Sequence, residues 1–221
     1  MHVLIINGSP RVQKYSNTDK IISALKEGME QYDPGITTEL YSISDRKQWD
    51  DAREAFVRND EILIALPLFV ECIPGLLLEF LSTLPPKDGH TRMSFVLQSG
   101  FAEASQLRCG EKYLKTLPGR LGCIYKGTLI KGDNFSIRLV PDDMKKKITA
   151  PYVQMGKVYA EHKGFDCEEA RKFAGPEYFN APMRLILRSI FATFGRIMFR
   201  KTARSWGCDK PLNYRPYPAS R

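Results

Sequence analysis

Residues 3–18, VLIINGSPRVQKYSNT, decide the fold of this chain. The four residues Val3 to Ile6 form an uninterrupted apolar run, which is typical of a strand buried on both faces. Asn-Gly-Ser-Pro follows at once and ends the run in a turn. Ser16 is a suitable N-cap for a helix predicted over residues 17–32. Strand, loop and helix in this order indicate the first unit of an α/β sheet.

The same alternation continues along the chain. Further strands are predicted over residues 37–43, 61–66, 93–97 and 123–130, and further helices over residues 50–57, 74–84, 104–117 and 141–162. Five strands interleaved with helices predict a parallel, doubly wound sheet. We therefore expect one α/β domain over residues 1–176 and a C-terminal appendage, helical then extended, over residues 177–221.

The appendage carries all of the excess charge. Residues 1–179 contain 24 Lys and Arg against 24 Asp and Glu, whereas residues 180–221 contain nine against one. A basic amphipathic helix is predicted over Ala181–Lys201, and an extended segment over Trp206–Arg221. Three interpretations stay open: packing within the chain or in a homodimer, weak contact with an anionic surface, and other roles. No nucleic-acid partner is expected, because no reading module is present.

The loop after the first predicted strand favours phosphate binding. Hydroxyl groups, backbone N–H groups at a helix N-terminus and one arginine are the donors that a phosphate needs. The predicted phosphate ligands are Ser9, Arg11, Ser16, Asn17 and Thr18. A capped turn without a ligand is the alternative. The loop matches neither the dinucleotide-binding glycine pattern nor the P-loop.

Gly8-Ser9-Pro10-Arg11 with Ser16-Asn17-Thr18 resembles the flavin phosphate loop of the NADPH-dependent FMN reductase family. Residues 66–75, LPLFVECIPG, are similar to the family's Pro-x-Tyr and Pro-Gly segment, and Ser99-Gly100 loosely matches the loop beneath the flavin. The resemblance implies a flavodoxin-like fold with strand order 2-1-3-4-5. It also implies bound FMN, with its ring framed by Pro67, Leu68, Phe69, Val70, Ser99 and Gly100.

The resemblance further implies the activity. The chain is expected to be an NAD(P)H oxidoreductase, using NADPH or NADH to reduce a small acceptor such as a flavin, a quinone or a nitro or azo compound. No catalytic side chain is predicted, since backbone groups and solvent can serve the flavin, and a homodimer is expected. A flavodoxin-type electron carrier is the alternative. A more distant one is a module that has lost flavin and acts through its tail.

Cysteine and histidine usage points away from metal and disulfide chemistry. The five cysteines are Cys72, Cys109, Cys123, Cys167 and Cys208, with no C-x-x-C spacing. His2, His90 and His162 are scattered. We expect no metal site and a reducing cytoplasmic location. No uncharged apolar run reaches the length of a membrane span.

Overall fold

A computed structural model describes residues 1–215 and residue 217. Contacts between residues divide the chain into two units, Met1–Tyr178 and Phe179–Arg221.

The first unit is a five-stranded parallel sheet with helices on both faces. Its strands are β1 (His2–Asn7), β2 (Thr37–Ser42), β3 (Glu61–Pro67), β4 (Arg92–Gln98) and β5 (Ile124–Lys131). Its helices are α1 (Asn17–Tyr32), α2 (Trp49–Arg58), α3 (Gly75–Ser82), α4 (Arg108–Arg120), α5 (Asp142–His162) and α6 (Glu168–Phe173). The strand order is β2-β1-β3-β4-β5 and every pairing is parallel. The predicted fold class and strand order are confirmed.

The first strand shows why helices cover both faces of the sheet. Val3, Leu4, Ile5 and Ile6 are all fully buried. Successive side chains of a strand point to opposite faces, so Leu4 and Ile6 join the core under α2, α3 and α4, while Val3 and Ile5 join the core under α1 and α5. Because each core needs apolar side chains from β1, the apolar run in the sequence is uninterrupted.

Two glycines let α1 and α5 touch. A Cβ atom on Gly28 would lie 1.9 Å from the carbonyl oxygen of Val153, and one on Gly156 would lie 2.1 Å from that of Leu25. Any side chain at either position would force the helices apart. This close crossing fixes α1 against the sheet, and with it the loop that leads into α1.

Some predicted boundaries were wrong. The helix predicted from residue 104 begins as a tight 3₁₀ turn, Ala104–Leu107, and the regular helix starts at Arg108. The short helix α6 was not predicted at all. At six residues it is too short to show a helical period.

The second unit includes one long helix with an irregular centre. It contains α7 (Ala181–Ile190), a wider π-type turn (Phe191–Gly195) and α8 (Arg196–Ser205). The residues described after Ser205 include turns, so a continuous extended segment is not seen there, and residues 216 and 218–221 of that prediction lie outside the described part. No helix within the described ranges combines the length and apolarity needed to cross a membrane.

Candidate functional site

The candidate site lies at the carboxyl edge of the sheet. The chain leaves β1 toward β2 on one side, and β3 lies on the other side of β1. Such a reversal opens a crevice at the ends of the two central strands, where ligands of open α/β sheets bind. The loops that follow β1, β3, β4 and β5 all reach this edge.

Short-range hydrogen bonds hold the loop after β1. The N–H of Ser9 donates to Oδ1 of Asn7 at 3.1 Å, and the N–H of Arg11 donates to Oγ of Ser9 at 3.3 Å. The N–H of Gly8 donates to the carbonyl of Ala65 at 2.7 Å. Where the inter-strand hydrogen bonds of β1 end, the side chains of Asn7 and Ser9 thus accept the backbone N–H groups instead.

Three hydroxyl groups of this loop keep a proton to donate. Oγ of Ser9 accepts from the N–H of Arg11, Oγ of Ser16 caps α1 by accepting from the N–H of Asp19, and Oγ1 of Thr18 accepts from the amide of Gln98. None of the three hydroxyl protons has an acceptor among the described residues. A hydroxyl that already accepts one hydrogen bond can still donate its own proton to a second partner.

The remaining two predicted phosphate ligands lie differently. Arg11 is exposed, and its guanidinium makes no ion pair within the described chain. The amide nitrogen of Asn17 donates to the carbonyl of Asn134 at 2.7 Å, so its donor is used inside the protein. Oδ1 of Asn17 and Nδ2 of Asn7 are buried and have no partner in the described part of the chain.

Asn134 is a residue of this edge that sequence reasoning missed. Its side-chain amide donates to the carbonyl of Lys131 at 2.8 Å, its N–H donates to the carbonyl of Ser99 at 3.0 Å, and its Oδ1 accepts from the hydroxyl of Tyr152 at 2.9 Å. Asn134 therefore joins the loops after β1, β4 and β5. The turn composition of Gly132-Asp133-Asn134 was the available signal, but only the loops after the first, third and fourth strands were considered.

The phenol of Tyr152 is suited to this supporting role. Its ring is buried among α1, α5 and the loop after β5. Burial raises the pKa of Tyr152, and this effect outweighs the hydrogen bond to Asn134, which lowers it. The hydroxyl therefore stays protonated and continues to donate at alkaline pH.

The loop after β3 closes in a strained two-residue turn. Phe69 and Cys72 exchange backbone hydrogen bonds of 3.0 and 2.9 Å. Val70 and Glu71, between them, have φ angles of 46° and 64°. A β-branched valine rarely adopts this left-handed conformation, and such strain is found at ligand-binding segments. The backbone N–H groups of Val70 and Glu71 have no acceptor among the described residues.

Only some residues of the loop after β3 have exposed side chains that could contact a ligand. Pro67 and Leu68 are buried, and the side chain of Leu68 packs on α4, where a Cβ on Gly110 would lie 2.9 Å from it. Phe69 is 39% exposed and Val70 is 89% exposed. The four predicted ring-framing residues of this loop thus divide into two buried and two exposed.

The loop after β4 places aromatic rings at the same edge. Ser99 is buried and its hydroxyl donates to the carbonyl of Phe101 at 3.2 Å. Gly100 is exposed, and a Cβ there would lie 3.4 Å from that of Phe135. Phe101 and Phe135 are 66% and 59% exposed. Two open rings therefore flank the predicted Ser99-Gly100 contact.

A cluster with metal-ligating groups lies elsewhere. Ligand atoms of His162, Cys167 and Glu169 lie within 4.8 Å of one another. Burial is the main cause that raises the pKa of the Cys167 thiol. The cluster follows the C-terminus of α5, which is at the amino edge of the sheet, so it does not belong to the candidate site.

Comparisons with known proteins identify fold relatives. No protein-family model matches the chain, and no curated protein does. An FMN-dependent NADH-azoreductase from Bacillus anthracis, in complex with FMN, is 15% identical with a TM-score of 0.53, over 71% of this chain and 97% of that one. An NAD(P)H:quinone oxidoreductase from Methanothermobacter marburgensis is 16% identical with a TM-score of 0.53, over 73% and 98%.

An NADH:FMN oxidoreductase in its apo form is 17% identical with a TM-score of 0.53, over 71% of this chain and 88% of that one. Identities this low establish a shared architecture and nothing finer. The chain has the flavodoxin-like α/β fold that these three proteins share.

Proposed function

We propose that the chain binds FMN at the carboxyl edge of its sheet and is an NAD(P)H-dependent oxidoreductase that reduces a small acceptor. One observation carries the proposal. The hydroxyl groups of Ser9, Ser16 and Thr18 all keep a proton to donate; Ser9 lies in the loop after β1, and Ser16 and Thr18 lie at the N-terminus of α1.

This donor set fits the phosphate of FMN. The N-terminus of a helix carries a partial positive charge and free N–H groups, both of which favour an anion. Arg11 adds a full charge that no carboxylate of the described chain neutralises. Charge-assisted hydrogen bonds from such groups are about twice as strong as neutral ones.

The other loops fit the flavin ring. The free N–H groups of Val70 and Glu71 can donate to ring acceptors, and the exposed rings of Phe69, Phe101 and Phe135 can cover apolar ring surface and exclude water. Bound FMN would supply hydride transfer between nicotinamide and acceptor. The chain's own residues would bind and orient it. We name no acid or base side chain for this step.

The fold relatives support the same class of reaction. The three described above are an azoreductase, a quinone oxidoreductase and a flavin oxidoreductase. Each uses a nicotinamide, and their acceptors differ. For this chain we propose a small organic acceptor of the same kind, reduced at the expense of NADH or NADPH.

The loop after β1 combines buried hydroxyl groups with an exposed segment. Ser9, Ser16 and Thr18 are buried, whereas all residues from Pro10 to Tyr15 between them are exposed. We expect bound FMN to protect this exposed segment.

Reconstitution tests the proposal. Purified protein is incubated with FMN and gel-filtered, and its absorbance spectrum is recorded. Retained flavin is expected, followed by NADH or NADPH oxidation that depends on an added quinone or azo dye. Retained flavin without turnover would instead indicate a flavodoxin-type carrier, and protein that stays colourless would refute FMN binding.

Limited trypsin digestion gives a second readout that does not depend on turnover. FMN is expected to slow cleavage after Arg11 and Lys14, both in the exposed segment. Cleavage after arginines of the second unit is the internal control, since it should proceed at the same rate. Equal cleavage at all sites with and without FMN would remove this loop from the binding site.

A further inference from the structure

The helix of the second unit exposes an extensive apolar face. No residue from Ala181 to Ser205 is buried, although this segment contains many large apolar side chains. Six of them, Met183, Ile186, Ile190, Phe191, Phe194 and Met198, are between 42% and 65% exposed. A contiguous apolar face of this kind on a protein surface marks an interaction site.

The spacing of these six residues puts them on one side of the helix. Steps of three or four residues connect Met183, Ile186, Ile190, Phe194 and Met198. In an α-helix, residues three and four apart are neighbours on the same face. We call this side, with Phe191 beside it, the apolar face.

Arginines occupy the other side. Arg184, Arg188, Arg196, Arg200 and Arg204 are separated by four or eight residues. In a regular α-helix a row with this spacing would rotate by about 200° from first to last. The π-type turn Phe191–Gly195 accommodates about one extra residue, which takes back about 100° of that rotation. The turn therefore keeps the arginines together and away from the apolar face.

The arginine row is uncompensated. Residues 180–221 contain nine Lys and Arg against a single acidic residue, Asp209. None of the five arginines makes an ion pair within the described part of the chain. The row is therefore free to pair with an external anionic partner, and the apolar face is free to pack against an external apolar one.

We propose that this helix binds an anionic lipid surface, with the apolar face in the headgroup and acyl boundary and the arginine row against acidic headgroups. An interfacial helix has this pattern: an apolar side with Phe, a polar side rich in Arg, and low net hydrophobicity. From Ala181 to Ser205 it spans about 37 Å. That length lies along the surface, since these helices are not apolar enough to cross a membrane.

Charge separates this partner from a second copy of the chain. Two copies packed through their apolar faces would cover those faces but leave both arginine rows, which lie on the opposite sides, without an anionic partner. Nucleic acid would satisfy the arginines but leave Phe191 and Phe194 in water. A lipid surface satisfies both sides at once. The aromatic residues that follow, Trp206 and Tyr214, are 83% and 51% exposed and are of the kind that prefers the interface.

Vesicle flotation with the full-length protein tests the proposal. Vesicles of phosphatidylcholine alone are compared with vesicles in which one third of the lipid is phosphatidylglycerol. Binding is expected only with the anionic vesicles, and it should fall when ionic strength rises from roughly 0.1 M to 1 M, because the Debye length shrinks from about 10 Å to 3 Å. Trp206 fluorescence should shift to shorter wavelength on binding, while buried Trp49 stays unchanged.

Paired variants separate the two sides of the helix. Arg188→Glu with Arg200→Glu is expected to lower partitioning by at least roughly 30-fold, the combined effect of two basic residues at an anionic surface. The matched control, Lys115→Glu with Lys147→Glu, makes the same charge change on exposed positions of the first unit and should bind normally. Phe191→Ser with Phe194→Ser should reduce binding even at low salt.

The outcomes decide among the partners. Failure of the wild-type protein to float with anionic vesicles overturns the proposal, as does equal loss of binding in the control variant. Sedimentation that shows a dimer dissociated by the phenylalanine variant, without vesicle binding, assigns the apolar face to a second copy instead. Circular dichroism checks that the variants remain helical, and the Trp206 shift in the wild type needs no variant. None of these readouts involves flavin.

Discussion

Replacing Arg11 by alanine should weaken FMN binding without weakening the fold. Its guanidinium is exposed and pairs with no carboxylate in the described chain, so its removal should change the free energy of unfolding by less than about 0.5 kcal/mol. A hydrogen bond to a charged group contributes about 1.5–3 kcal/mol. Solvent exposure at Arg11 favours the lower end of that range, which corresponds to a dissociation constant raised roughly 10- to 30-fold.

Quenching of flavin fluorescence on titration with protein measures this constant. Arg11→Lys keeps the charge but loses the planar fork and should fall between wild type and alanine. Lys115→Ala removes an unpaired exposed cation from α4 and should bind FMN normally. The difference in FMN dissociation constant between the wild type and Arg11→Ala should become smaller as the salt concentration rises, because salt screens the charge of Arg11. An unchanged dissociation constant for Arg11→Ala at low salt would remove Arg11 from the proposed site.

Three further predictions concern the scaffold of the site. Asn134→Ala should lower the free energy of unfolding by roughly 2–4 kcal/mol, because it leaves the buried hydroxyl of Tyr152 without its acceptor. Urea titration measures this free energy. Adding Tyr152→Phe to the variant should recover part of the lost stability. Gly28→Ala should cost roughly 1–3 kcal/mol by pushing α1 from α5, whereas Gly75→Ala, with open space around it, should be nearly neutral. Burial raises the pKa of Cys123 to about 11, so above pH 9 the unfolded chain loses a proton that the folded chain keeps. The free energy of unfolding should therefore fall as pH rises from 9 to 11, and less steeply in Cys123→Ala.

The sheet could be predicted because its signal is local. Apolar runs such as Val3 to Ile6 are long enough to identify strands, and the polar turns between them mark the connections. The helix α6 and the start of α4 depend on contacts far along the chain. The N–H groups of Ala104 and Ser105, for example, donate to the carbonyls of Pro176 and Glu177. The spacing of apolar residues within a short stretch of sequence carries no information about such a distant contact.

Sequence reasoning named the loops of the candidate site but not the partners of their side chains. Sequence reasoning named Asn17 as a phosphate ligand because of its position at the start of α1, yet the structure uses its amide to hold Asn134. It named Leu68 for the flavin ring, yet that side chain lies in the core. Side-chain direction in a loop depends on which partners the tertiary fold brings near, and Asn134 is 117 residues from Asn17. The ligand roles of all eleven residues stay predictions.

The distribution of charge argues that the two units do separate work. Residues 1–179 carry no net formal charge, so long-range electrostatic attraction to an anionic surface must come from the second unit. An FMN site needs only local positive charge, which Arg11 and the N-terminus of α1 supply. If the two proposed functions are independent, reversing charges on that helix should lower binding to anionic vesicles and leave the FMN dissociation constant within about twofold.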